Sequence, residues 1–149
     1  MKTYDDIRNL LSAIEPTEEM YSGLTADDLP QLQSMMSEAE PWLAARAVFA
    51  ASRLPTSAAH AFLIKASTDH RPQVRVALAA SVGQTQHPVA DEVLLRLLDD
   101  GDMGVKKFAI GAIGSHSSTQ LKEKLSSLAS QTQDSYIRQL AREKSKLLP

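Results

Sequence analysis

Histidine is the residue type in this chain best suited to metal binding or proton transfer, because the 149 residues include four histidines and no cysteine. His60, His70, His87 and His116 lie in separate segments, and none is spaced from another histidine or a carboxylate as metal ligands on one helix are. The lack of cysteine excludes disulfides, thiolate metal sites and a cysteine nucleophile. We therefore expect no metal ion and no other cofactor.

Acidic pairs and nearby glycines resemble catalytic patterns, but neither fits one. Neighbouring carboxylates on a helix point in different directions, so the acidic pairs indicate solvated caps and first-turn acids. Gly111 and Gly114 lack the spacing of a dinucleotide-binding loop and the lysine of a phosphate-binding loop, and we expect Gly111 to permit close helix contact. The chain is therefore predicted not to be an enzyme. The acidic pairs are Asp5-Asp6, Glu18-Glu19, Asp27-Asp28 and Asp99-Asp100.

Composition indicates one helical domain. Hydrophobic residues make up 43% of the chain, charged residues 23% and aromatic residues only 5%, while Ala, Leu and Ser are common. The net charge of -2 argues against a globally basic nucleic-acid binder. No apolar run approaches the length of a membrane span, and the first residues lack the apolar core of a signal peptide. The default expectation is a cytoplasmic protein.

A segment recurs along the chain at a spacing of 31 or 32 residues. Residues 69–83 align with 100–114, so that Val74 matches Val105 and Arg75 matches Lys106. A shift back by 31 reaches Pro41 and Leu43, and a shift forward by 32 reaches Ile137 and Arg138. Four similar units at nearly constant spacing indicate a repeat protein.

Each unit predicts a helix, because its apolar residues follow helical spacing. Pro41 and Pro72 lie at or before the first turn, and Asp102 and Asp134 are placed as N-caps. Gly83 and Gly114 are placed just after their helices as C′ residues. The predicted stripes are Leu43, Ala47, Ala50, Ala51 and Leu54; Val74, Ala77, Leu78, Ser81 and Val82; and Val105, Phe108, Ala109, Ala112 and Ile113.

A second amphipathic segment precedes each unit, so every repeat is predicted to be a helical hairpin. The spacing predicts these preceding helices over 26–38, 56–68, 88–100 and 117–131, and Thr25 with Asp28 resembles a capping box. A further helix is expected over about 4–15, with Ile7, Leu10, Leu11 and Ile14 on one side, followed by a break over 16–23. We therefore predict an all-α solenoid in one domain, 1–149, with repeats over about 25–54, 56–83, 88–114 and 117–148.

These residues resemble the HEAT-like repeat family of α-solenoids, of the bilin lyase-like type. The pattern of an acidic loop, then Val-Arg, then a small-rich helix ending in Leu-Gly is found as Asp69, Pro72, Val74-Arg75 and Val82-Gly83. Ala44 replaces the usual arginine in the first unit, and Lys144 and Ser145 replace apolar residues in the last. The resemblance implies a structural ladder in which Arg75, Lys106 and Arg138 reach the acidic loops of adjacent repeats. The candidate acceptors are Asp69, Asp100, Asp102 and Asp134.

Charge changes sign along the chain. Residues 1–40 carry a net charge of -7, residues 41–100 carry +1 and residues 101–149 carry +4. Because a solenoid arranges its sequence along one axis, this gradient indicates either an end-to-end dipole or ordinary solvated caps. The dipole hypothesis allows head-to-tail self-association or an acidic partner at the C-terminal end.

The resemblance favours a non-catalytic interaction module that binds a partner protein on the concave face built by the second helices. Trp42 is either an exposed anchor of that interface or a cover for the core beside the N-terminal helix. The alternatives are an enzyme-like HEAT protein, similar to a bilin lyase or a DNA glycosylase, and a weak nucleic-acid binder that uses the basic C-terminal third. The candidate partner-binding residues are Trp42, Arg53, Gln73, Val76, Lys107, Gln139 and Arg142.

Overall fold

A computed structural model describes residues 1–13, 17–38 and 40–149 and confirms the all-α prediction. The described residues contain ten α-helices and one 3₁₀ turn, Ala26–Asp28, but no strand. The helices are α1 (Tyr4–Leu11), α2 (Glu18–Ser22), α3 (Leu29–Met35), α4 (Pro41–Ala51), α5 (Ser57–Ala66), α6 (Pro72–Thr85), α7 (Ala90–Leu97), α8 (Met103–Ala112), α9 (Thr119–Gln131) and α10 (Ser135–Leu147).

Helices α3 to α10 form four hairpins that stack in chain order. The second helices, which are α4, α6, α8 and α10, pack against one another in series, and the first helices, which are α3, α5, α7 and α9, form a parallel series. One continuous core lies between the two series, with Leu43, Leu63, Leu78, Leu94 and Leu121 almost fully buried. This translational arrangement confirms the predicted α-solenoid.

Local sequence determines where several helices begin. Pro41 and Pro72 occupy the first positions of α4 and α6, where the missing N–H removes no helical hydrogen bond. Asp102 and Asp134 are the N-caps of α8 and α10, as predicted, and their carboxylates accept from the amides of Val105 and Ile137. The capping box predicted for Thr25 and Asp28 is also confirmed, at the 3₁₀ turn that leads into α3.

The region before the first hairpin differs from the prediction. Helix α1 ends at Leu11, and Ile14 and Glu15 of the predicted helix lie outside the described residues. The predicted break over 16–23 was wrong, because 18–22 form α2, whose N-cap Thr17 accepts from the Met20 amide. Met20 and Tyr21 of α2 are buried. The short helix therefore covers the N-terminal end of the core.

The prediction for Gly83 was also wrong. Helix α6 continues past Gly83 to Thr85 and ends at Gln86, which adopts the left-handed conformation with φ 50°. Gly83 instead lies where α6 meets α8, and a Cβ added to it would come within 2.7 Å of the Ala112 Cβ. A Cβ on Gly111 would meet nothing within 4 Å, so the close helix contact expected there belongs to Gly83.

None of the helices in the described ranges combines the length and the apolar character that crossing a bilayer requires.

Candidate protein-interaction face

Large apolar side chains are exposed on the second helices. Trp42 on α4, Met103 and Phe108 on α8 and Tyr136 on α10 are 40–47% exposed. Phe108 was expected in the buried stripe of α8, and that expectation was wrong. Ile110 is buried there instead, beside Val105, Ala109 and Ile113, so the apolar stripe is rotated away from Phe108. We call the solvent-facing side of α4, α6, α8 and α10 the second-helix face.

Two cavities form a groove on the second-helix face. The first has a volume of about 510 Å³ and lies beside Tyr21, Trp42, Phe49 and Arg53. The second has a volume of about 450 Å³, with a floor of small residues between α6 and α8. Gln84 lines both cavities and connects them. Arg46 also lines the first cavity, and the second is lined by Ala80, Gly83, Lys107, Phe108, Gly111 and Ala112.

Arg53 is built into the wall of the first cavity. Its guanidinium lies 4.4 Å from the centroid of the Tyr21 ring and 5.8 Å from that of Phe49. Its Nε donates to Glu18 at 2.9 Å, and its Nη1 donates to the Phe49 carbonyl at 2.5 Å. Hydrogen bonding from Arg53 lowers the pKa of Glu18, and burial raises the pKa of Tyr21. Because its side chain is only 15% exposed, Arg53 shapes the groove more than it reaches into solvent.

Trp42 lies between two arginines at the edge of the groove. The guanidinium of Arg8 is 5.8 Å from its ring and that of Arg46 is 5.7 Å away. Arg46 also donates to the carbonyls of Leu11 and Ala13, so it terminates α1. Trp42 is therefore placed beside the N-terminal helix, as one interpretation expected, but it remains 41% exposed.

The other candidate partner-binding residues are spread over the same series of helices. Gln73 and Lys107 are exposed and Val76 is half-buried, on α6 and α8. Gln139 donates to Glu143 at 2.9 Å, and Arg142 donates from Nε to the Ala129 carbonyl at 2.9 Å. Trp42, Arg53 and Lys107 thus line the groove, whereas Gln139 and Arg142 lie on α10, outside its lining.

Basic residues are concentrated on the second helices. Helices α4, α6, α8 and α10 contain eight basic residues and one acidic residue, Glu143. Helices α3, α5, α7 and α9 contain four basic and three acidic residues. The second helices are therefore net basic, although the whole chain has a net charge of -2.

Arg75 links two repeats in the way the resemblance implies. Its Nε and Nη2 donate to the two carboxylate oxygens of Asp100 at 2.7 and 3.0 Å, and its Nη1 donates to the Asp69 carbonyl at 2.7 Å. The Asp102 amide also donates to Asp100, at 2.9 Å. Burial opposes ionisation of Asp100, but these hydrogen bonds outweigh it and lower its pKa. Hydrogen bonding to Asp100 correspondingly raises the pKa of Arg75.

The rest of the implied ladder has different contacts. Asp69 pairs with Arg71 of its own loop at 2.9 Å, and Arg71 donates to the carbonyls of Met36 and Glu38 at 2.6 and 2.8 Å. Arg138 donates to the Thr132 carbonyl at 3.3 Å. Lys106 makes no ion pair within 4.0 Å with any residue that the structure describes, although its charge helps to lower the pKa of Asp100. Sequence reasoning missed Arg71, whose only signal was its position two residues after Asp69.

His60 of α5 and His87 in the loop between α6 and α7 meet beside a cavity of about 400 Å³. The rings of His60 and His87 are 4.6 Å apart and nearly perpendicular, although their sequence spacing did not indicate contact. The Val89 amide donates to Nδ1 of His87 at 3.3 Å, and burial followed by the proximity of His60 lowers the pKa of His87. Within the described ranges, no three His, Asp or Glu side chains form a group that could hold a metal ion.

The comparisons with known proteins agree with this architecture. The family described as HEAT repeats matches residues 29–105, which cover α3 to α7 and the start of α8. No curated protein matches the chain. Since the family match spans more than half of the 149 residues, the chain belongs to the HEAT-repeat family.

Proposed function

We propose that this chain is a non-catalytic interaction module that binds a partner protein on its second-helix face. One observation carries the proposal: of the six exposed large apolar residues in the described part of the chain, all but Met1 lie on second helices, namely Trp42, Met103, Phe108, Tyr136 and Leu147. Exposed apolar side chains that share one face mark interaction sites when they form a contiguous patch, and aromatic residues are enriched at interfaces.

Packing beneath this face supports a role in binding. Arg53 is immobilised by Glu18, Tyr21 and Phe49, and the Arg75–Asp100 pair joins α6 to the loop that precedes α8. Side chains held in this way lose little conformational entropy when a partner binds. A preformed surface of this kind suits recognition.

A further cavity, on the other face, competes for the role of binding site. It has a volume of about 820 Å³ and lies between α3 and α5, lined by Met36, Phe62, Lys65 and Asp69 among others. Phe62 is only 7% exposed, and most of the other lining residues are small or polar. We therefore assign partner binding to the second-helix face and use the other face as a control.

The experiment compares two lysine substitutions that change the same charge on opposite faces. Lys107→Glu alters the second-helix face and Lys65→Glu alters α5, and both lysines are exposed. Affinity capture from the native cell lysate, with quantitative mass spectrometry, should show that Lys107→Glu and Phe108→Ser lose the partner while Lys65→Glu retains it. Loss with Lys65→Glu alone would contradict the proposal. Thermal melts confirm that all three variants fold.

The predicted subtype, alternative activities, self-association and cellular location each need a separate experiment. The bilin lyase-like subtype is tested by adding a bilin and recording its absorbance, and a glycosylase-like activity by an abasic-site assay. Nucleic-acid binding through the basic C-terminal third is tested by a gel shift at low salt.

Head-to-tail self-association is tested by sedimentation at low and high salt. The cytoplasmic location is tested by cell fractionation.

A further inference from the structure

We propose that the groove across α4, α6 and α8 recognises a short acidic segment of the partner, in which carboxylates alternate with apolar side chains. The inference rests on the proposed function and adds the chemistry of the partner. Three features of the groove lead to it: its charge, its small-residue floor and its length.

The charge of the groove selects an anionic occupant. Arg46 lies at one end and Lys107 at the other, and helices α4, α6 and α8 contain no Asp or Glu. Glu18 is the acidic residue that lines the groove, and its charge is compensated by Arg53. A bound carboxylate near Arg46 or Lys107 therefore gains a favourable interaction.

The floor of the second cavity selects an apolar side chain. Gly83, Ala80 and Ala112 leave the helix backbones nearly bare, and Phe108 forms one wall. A volume of about 450 Å³ accommodates a few side chains rather than a folded surface. An aliphatic or aromatic residue of the partner would fill this cavity and cover part of the exposed Phe108 ring.

The length of the groove limits the segment. Packed helices lie about 8–10 Å apart, so three adjacent second helices span roughly 16–20 Å. An extended chain covers that distance with about six residues, at roughly 3.3 Å per residue. Side chains of such a segment alternate between its two sides, so apolar residues can enter the cavities while carboxylates meet Arg46 and Lys107.

A protein segment fits these features better than a nucleic acid does. A nucleic acid is recognised through a basic track with aromatic residues on which bases stack. The basic residues in the groove lining are Arg46, Arg53 and Lys107, and Arg53 is already paired with Glu18, so the lining offers separate charges for single carboxylates rather than a continuous track for a phosphate backbone. The floor between α6 and α8 also offers small aliphatic groups rather than a ring stack.

The test selects peptides from a phage-displayed library of random 12-residue sequences against the whole chain. Winning sequences are synthesised and titrated while the emission of Trp42, the single tryptophan, is recorded at the groove edge. We expect winners with at least two acidic residues next to an apolar one, and binding that weakens with salt. Lys107→Glu should weaken binding at least tenfold, whereas the matched variant Lys65→Glu should change it less than twofold.

Other outcomes separate this inference from the proposed function. If the selected peptides are neutral or basic but lose binding with Phe108→Ser, the proposed acidic segment is wrong, while the second-helix face remains the binding surface. If the selected peptides bind Lys107→Glu and Phe108→Ser as tightly as the parent chain, both proposals are overturned. If the library yields no binding peptide, the inference is overturned. Tighter groove binding by a labelled 20-nucleotide single strand, or a dimer abolished by Lys107→Glu, assigns the groove to another occupant and overturns it too.

Discussion

The joint between α6 and α8 and the joint between α8 and α10 use the same repeat pattern but differ in their contacts. At the first joint, Arg75 forms a two-pronged pair with Asp100, and Gly83 lies directly against Ala112. At the second, α10 fully buries only Ile137 and Ala141, and Lys144 donates from an exposed position to the Gly111 carbonyl at 3.0 Å.

This difference shows that repeat position alone does not determine a joint. Lys106 occupies the position of Arg75 in the next repeat, but no ion pair joins it to the described part of the next loop. Lysine presents a point charge where arginine presents a planar fork that matches a carboxylate. Asp134, the candidate acceptor in the next loop, caps α10 instead. The joint between α6 and α8, which we call the middle joint, is thus specified by polar geometry and close packing. The joint between α8 and α10, the last joint, is specified mainly by apolar burial.

The largest expected effect comes from filling the close contact at the middle joint. Gly83→Val should lower the free energy of unfolding by about 3 kcal/mol, the upper end of overpacking costs, because its side chain would collide with Ala112. The cause is steric, since no glycine in the described residues has a positive φ. Urea unfolding followed by circular dichroism measures the change.

Gly111→Ala is the matched control on the neighbouring helix. A Cβ there meets nothing within 4 Å, so alanine should stabilise the chain by up to about 1 kcal/mol through its higher helix propensity. Equal destabilisation by Gly83→Val and Gly111→Ala would contradict the close contact assigned to Gly83.

The next effect compares the two basic residues at equivalent repeat positions. Arg75→Ala should cost about 2 kcal/mol, because it leaves the largely buried Asp100 carboxylate without its charged donor. Lys106→Ala should cost less than about 0.5 kcal/mol, because Lys106 acts on Asp100 only through its charge and forms no ion pair with it. Thermal unfolding of both variants in the same buffer tests the comparison, and similar losses would show that the ladder continues to the last repeat.

Sequence reasoning succeeded where structure depends on neighbours along the chain. Pro41, Pro72, Asp102 and Asp134 mark helix starts, since capping and proline placement involve only a few consecutive residues. The 31-residue spacing likewise predicted the stacked hairpins.

Sequence reasoning failed where a role depends on another helix. Phe108 matches helical spacing but is exposed because Ile110 takes the buried position. Gly83 resembles a helix end, yet its role follows from Ala112 on α8. The stack of Arg53 on Tyr21 was missed because it requires α2, a helix that the sequence did not predict, while partner contact by Arg53 stays a prediction.

The smallest expected effect is a pH dependence confined to the middle of the array, where His87 in the loop between α6 and α7 contacts His60 of α5. Burial, and then the proximity of His60, lowers the pKa of His87 below the value of about 6.5 found in an unfolded chain. Its contribution to stability is therefore complete above about pH 6.5 and is lost as the pH falls toward the lowered pKa, because the unfolded chain binds the proton more readily. Urea midpoints should decrease from pH 7.5 to 5.5.

His87→Asn should flatten that decrease, since asparagine does not titrate and its side-chain carbonyl can still accept from the Val89 amide. His116 provides the control, because it occupies the loop between α8 and α9 and is exposed. His116→Asn should therefore keep the slope of the parent chain. If the urea midpoints of both variants decrease with pH as steeply as those of the parent chain, then His87 does not cause the pH dependence. If both flatten it equally, the pH response is not specific to the middle of the array, and the two joints are more alike than their contacts indicate.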